Sequence, residues 1–140
     1  MEPGRVLGVD LGTRRVGLAL SDPLRMISSP LDTIPLISES ALAERLAALC
    51  REKDVSTVVI GLPVSADGSE GPGCARARRM AARLTEAGLH PVLQDESWSS
   101  RDAEEALRET GRNRRNSKEK VDAMAASLIL RAYLEETSRP

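Results

Sequence analysis

Two apolar runs open the chain, Arg5 to Leu11 and Val16 to Leu20, separated by Gly12-Thr13-Arg14-Arg15, a turn of hairpin length. The pattern predicts two antiparallel strands. The segment Pro30 to Pro35 is read as a third, short strand, and its prolines, which have no N–H to give to a ladder, assign it to a sheet edge. From Ser38, SESALAERLAALCREK sets Leu42, Leu46 and Leu49 at helical spacing behind residues able to cap a first turn. The β-branched run VSTVVIGLP predicts a buried strand ending at Gly61 and Pro63, followed by the turn-rich loop VSADGSEGPG. A second helix is expected over Ala75 to Ala87 with Gly88 as its stop, then a short strand in HPVLQDE, and a third helix over Arg101 to Glu109. After the basic connection TGRNRRN, a last helix is expected from near Asn116, with Glu119 as its capping-box partner, towards Glu135. Its predicted apolar stripe is Val121, Met124, Ala125, Leu128, Ile129 and Ala132.

A hairpin followed by strands alternating with helices implies a mixed sheet, antiparallel at first and parallel later, flanked by helices. The expected fold class is α/β. The length of 140 residues fits one core, and with neither an internal repeat nor a linker the expectation is a single domain over residues 1–140.

Composition narrows the chemistry. A net charge of −1, with 29% charged and 41% apolar residues, describes an ordinary globular chain and points to no partner. Trp98 and Tyr133 are the only aromatic residues, so a nucleic acid would be held by its phosphates rather than by stacked bases. Cys50 and Cys74 lack the close spacing of a zinc site, and His90 is the sole histidine, which argues against zinc and Ser-His-Asp chemistry. No run approaches the roughly 20 apolar residues a membrane span needs, and the expected location is the cytoplasm.

Acids interrupt apolar structure at three places. Asp10 ends the first strand, where loss of hydration costs a carboxylate several kcal/mol (order of magnitude) unless a cation or hydrogen bonds replace the water. Asp95 and Glu96 end the strand after His90, where alternation sets Val92, Gln94 and Glu96 on one face and Leu93 and Asp95 on the other. Asp122 borders the apolar stripe of the last helix, and its alanine neighbours allow that helix to approach the sheet closely. Singly, each acid could serve a loop backbone or a helix dipole. Together, at the carboxyl ends of strands where α/β sites gather, they suggest carboxylates joined by a divalent cation. Oxygen-only ligands point to Mg²⁺ or Mn²⁺, and two such ions can drive phosphodiester hydrolysis without a nucleophilic side chain.

GVDLGTRRVGLALSD, VVIGLPVSADGSEGP, QDESWSS and KVDAMAASLILRAYLE, in this order and spacing, resemble the YqgF/RuvX family, bacterial nucleases of the ribonuclease H-like superfamily described as Holliday junction resolvases and as pre-16S rRNA nucleases. The resemblance covers nearly the whole chain. It implies a ribonuclease H-like fold and assigns catalysis and metal binding to Asp10, Glu96 and Asp122. The family usually carries an arginine after the Glu of its DE motif and a Thr-Thr pair beyond it; here Ser97 and Ser99-Ser100 stand in those places, so the positive charge is lost. The loop Gly61 to Gly71 resembles a family segment expected beside the active site, although Asp67 could equally cap the turn at Gly68.

Arg112, Arg114, Arg115 and Lys118 precede the Asp122 helix, and Arg14 and Arg15 follow Asp10, so these six are the expected phosphate contacts. Nucleic acid is the expected partner, RNA favoured over structured DNA, with the protein a monomer or a homodimer to which Leu36, Ile37 or Trp98 could contribute. The strand-DLGT-strand opening also resembles the phosphate loop of actin-like and heat-shock ATPases, which hold ATP between two lobes where this chain has room for one. A non-catalytic RNA-binding module is the third reading.

Overall fold

The computed structural model describes residues 4–95 and 114–138, with the backbone alone over 114–119. Strands β1 (Arg5–Leu11) and β2 (Arg15–Ser21) form the expected antiparallel hairpin, with Leu11 opposite Val16 and Asp10 opposite Gly17. Strand β3 (Ser28–Pro35) pairs antiparallel with β2. Helix α1 (Glu39–Lys53) leads into β4 (Val55–Leu62), parallel to β1, and helix α2 (Pro72–Glu86) into β5 (Pro91–Asp95), parallel to β4. Helix α3 (Arg114–Thr137) closes the described chain. The sheet order is β3-β2-β1-β4-β5, so the proline-bearing β3 is an edge strand as predicted. The helix expected over Arg101 to Glu109 lies outside the described residues.

Several boundaries differ from the sequence reading. Arg15 belongs to β2 rather than to the turn, because the tight hairpin closes through the Gly12 N–H donating to the Arg15 carbonyl at 3.0 Å. β3 starts at Ser28 rather than Pro30: the Asp22 carboxylate accepts the N–H groups of Leu24, Met26 and Ile27, which ends the turn early, and the Ser28 hydroxyl donates to the Ser127 carbonyl at 2.8 Å. α2 begins at Pro72, not Ala75, since proline suits the first helical position, where no N–H is needed. It ends as predicted: Gly88, at φ +88°, donates to Thr85 and Leu89 donates to Leu84, a Schellman closure. α3 begins at Arg114 rather than near Asn116, two good helix formers extending it towards its N-terminus.

Two apolar layers sandwich the sheet. On one face Leu7, Val9, Val16, Leu18, Val58 and Ile60 pack beneath Leu42 and Leu46 of α1 and Met80 and Leu84 of α2. On the other, Val6, Ala19 and Val59 meet Ala126, Ile129, Leu130 and Leu134 of α3. The second layer is built from small residues. A β-carbon at Gly8 would stand 2.8 Å from the Ala126 carbonyl and 2.9 Å from Leu130 Cβ, and one at Gly17 would overlap the Asp122 carbonyl. This close seating shifts the buried stripe of α3 from the predicted one: Ala123, Ala125, Ala126, Ile129, Leu130 and Leu134 are buried, whereas Val121, Met124, Leu128 and Ala132 are half-buried flanks. Among the described residues, no helix is long and apolar enough to cross a membrane.

Candidate active site at the mouth of the first hairpin

Alternation along β1 decides where Asp10 points. Val6 belongs to the layer under α3 and Gly8 abuts that helix, so Asp10, two residues on, lies on the same face at the strand's carboxyl end, half-buried. Its cross-strand partner is Gly17, and Gly17 lies directly against the backbone of Asp122. With no side chain at Gly17 to separate them, the sheet and α3 bring Asp10 and Asp122 to one place. Asp122 keeps 22% of its side-chain exposure, so both carboxylates remain within reach of solvent.

The neighbouring strands continue this row. Val9 pairs with Ile60 and Gly61 with Gln94, and Val59 and Val92 pack under α3, so Gly61 and Gln94 extend the same face beside Asp10. The buried Gln94 donates from Nε2 to Glu136 Oε1 of α3 at 3.2 Å, which ties the end of β5 to that helix. Glu96, the third expected acid, lies outside the described residues, as do Ser97, Trp98, Ser99, Ser100 and Arg112. Among the described residues, no group of three or more His, Cys, Asp or Glu side chains gathers to hold a metal ion. What the described part supplies is two carboxylates. Their hard oxygens suit Mg²⁺ or Mn²⁺ and are an incomplete set without a further acid.

The basic residues separate. Arg15 donates from Nε to Asp122 Oδ2 at 2.7 Å, a contact across 107 residues that the sequence reading missed because no local pattern links the two. Arg14 is exposed, and its carbonyl accepts the Leu36 N–H at 2.8 Å. Arg114, Arg115 and Lys118 lie in the opening turns of α3, ahead of Asp122 on the same helix.

In the loop after β4, Asp67 caps the turn at Gly68. Asp67 accepts from the Ser69 hydroxyl at 2.6 Å and the Ser69 N–H at 2.9 Å, and these bonds hold its carboxyl below the usual range while Gly68 turns at φ +85°. Glu70 pairs with Arg78 at 2.6 Å. Cys50 and Cys74 are both buried free thiols, and burial pushes Cys50 up to about 11.

Residues 4–136 match the family model RuvX, described as Holliday junction resolvase. A relative from Anaeromyxobacter sp. (strain Fw109-5) is 42% identical over 132 residues, covering 94% of this chain and 96% of its own. Another, from Pelotomaculum thermopropionicum, is 39% identical over 138 residues, covering 97% and 90%; both bear the name "Putative pre-16S rRNA nuclease". Among solved structures, Thermus thermophilus RuvC aligns over 96% of either chain with a TM-score of 0.56 at 14% identity. The Fowlpox virus resolvase bound to Holliday junction DNA aligns over 96% of this chain and 99% of its own, with a TM-score of 0.56 at 13% identity. The mixed sheet and its flanking helices are thus the ribonuclease H-like fold of the RuvC resolvases. With a match that runs from the first strand into the last helix, the chain belongs to the RuvX family of nucleases.

Proposed function

We propose that this protein is a divalent-metal-dependent endonuclease that processes the 5′ end of precursor 16S rRNA, with residues 1–140 forming one nuclease domain and Asp10, Glu96 and Asp122 holding Mg²⁺ or Mn²⁺. The observation that carries the reading is that Asp10 and Asp122, acids from opposite ends of the chain, both adjoin Gly17, Asp10 as its cross-strand partner and Asp122 through its backbone. Glu96 is included on the sequence alone, where alternation assigns it to the row of Gln94 and the family resemblance assigns it to the catalytic acids. A bound divalent ion supplies a polarised water and offsets charge on the phosphodiester. In the hydrolysis, the water oxygen bonds to phosphorus and gives up a proton to solvent, while the bond from phosphorus to the leaving sugar oxygen breaks and that oxygen takes up a proton from solvent. Asp10, fixed at a strand end, orients the site from the sheet, and Asp122 orients it from the helix. Arg14, Arg15, Arg112, Arg114, Arg115 and Lys118 hold the backbone phosphates on either side.

The names of the relatives favour RNA. The family's description favours a second reading, a resolvase of four-way DNA junctions, which requires two sites and hence a homodimer. The deciding experiment compares cleavage of a labelled precursor-rRNA fragment and of a four-way DNA junction by wild type and Asp10→Asn, with Mg²⁺, Mn²⁺ or chelator. Metal-dependent RNA cutting lost in the variant is the expected result. Symmetric junction cutting replaces the RNA reading with the resolvase, and cutting of neither substrate under any metal overturns both.

A further inference from the structure

Arg15 is the first residue of β2, on the same side of the strand as Gly17 and therefore beside the two acids. Its Nε lies 2.7 Å from Asp122 Oδ2, and the two side chains keep 37% and 22% of their exposure. A half-exposed pair of this kind adds little to folding stability. Neither group is locked in the core, so the guanidinium can leave the carboxylate without disturbing the apolar layers. Yet it engages one of the two carboxylates that the fold brings together.

On the metal reading given above, we infer that Arg15 is a built-in cation that holds the Asp122 carboxylate in the metal-free protein and competes with the divalent ion for it. A carboxylate oxygen that accepts a charged N–H has that lone pair engaged, and a guanidinium left beside an incoming dication repels it. Arg15 therefore weakens metal binding in the free protein while keeping Asp122 in place. Once displaced, its donors lie at a strand end next to the acids, where a phosphate is the matching anion. Arg15 is thus a positioning residue whose partner changes as metal and nucleic acid arrive.

The test is Mn²⁺ titration of the full chain without nucleic acid, read by the electron paramagnetic resonance signal of free Mn²⁺. Wild type is compared with Arg15→Ala, with Asp122→Asn, with the double variant, and with Arg45→Ala. The last removes the same charge from an exposed site on α1, across the sheet from the acids. Arg15→Ala is expected to bind Mn²⁺ about fivefold tighter, the scale of a half-exposed ion pair, and Arg45→Ala to match wild type. Asp122→Asn should weaken binding and erase the effect of Arg15→Ala in the double variant. Wild-type binding that Arg15→Ala leaves unchanged or weakens overturns this inference and leaves the metal reading standing. Absence of Mn²⁺ binding by wild type overturns both. Thermal unfolding without metal establishes that each variant is folded.

Discussion

Asp10 stands out as a candidate because an ionised carboxylate at the end of an apolar strand is costly to keep, and its cross-strand partner Gly17 lies against the backbone of Asp122. Replacing Asp10 by Asn keeps its shape and removes its charge. We expect at least about a hundredfold loss of cleavage with an unchanged unfolding midpoint, checked by kinetics and circular dichroism on the same sample. Glu39 illustrates a charged residue with a structural role. The hydrogen bond from Arg79, at 2.9 Å from its Nη2, together with the nearby Arg83, holds the Glu39 carboxyl below its ordinary value of 4.5. A lowered carboxylate stabilises the fold above its ordinary value, and that contribution fades as pH falls through the lowered one. Glu39→Gln should therefore cost up to about 1 kcal/mol in denaturant titrations at pH 7 and nothing near pH 2. Cys50 shows the opposite sign. With its thiol pushed up to about 11 from an ordinary 9.0, its contribution is complete below pH 9 and is lost above it, and the native thiol should resist alkylation at pH 8 until the protein unfolds.

At the scale of elements, the decisive contact is that of α3 with the first hairpin. The helix reaches the sheet at Gly8 and Gly17, where a side chain has no room. Gly17→Ala should push α3 outward, lower stability by about 2 kcal/mol or more, and reduce cleavage by separating Asp122 from Asp10. Gly71→Ala is the control, since a β-carbon there meets nothing within 4 Å. The loss of both stability and activity in the first variant and neither in the second is checked by chemical unfolding and a cleavage assay. The elements themselves were largely legible in sequence because their signals are local: alternation for β1 and β2, leucine spacing for α1, Gly88 for the end of α2. The rotation of the α3 stripe was not. Val121, Met124 and Leu128 are the more apolar choices by residue type, but the small residues beneath the helix seat its alanine side instead.

For the whole molecule, the question is how a chain of net charge −1 holds a polyanion. The proposed answer is local concentration of charge: the arginines of the hairpin and those opening α3 flank the acids at one end of the sheet. Arg114→Ala with Arg115→Ala should weaken nucleic-acid binding and flatten the dependence of log Kd on log salt by about 0.7 to 0.9 for each phosphate no longer neutralised. Fluorescence anisotropy over a salt series measures this, and an unchanged slope removes the two arginines from the interface.

Neighbouring residues were enough to dictate the order of the described strands and helices, the edge position of β3 and the antiparallel hairpin, and to single out Asp10 and Asp122 as candidate acids, because backbone preference and burial pattern act locally. Only packing across the layers settled that the backbone of Asp122 lies against Gly17, the cross-strand partner of Asp10, that Gln94 fastens β5 to α3 through Glu136, and that Arg15 pairs with Asp122. Those partners lie 107 residues apart for Arg15 and 42 for Gln94. Which side chains meet over such separations depends on how closely the layers pack and on the face each helix turns to the sheet, and that is settled by the volumes of all the residues between them.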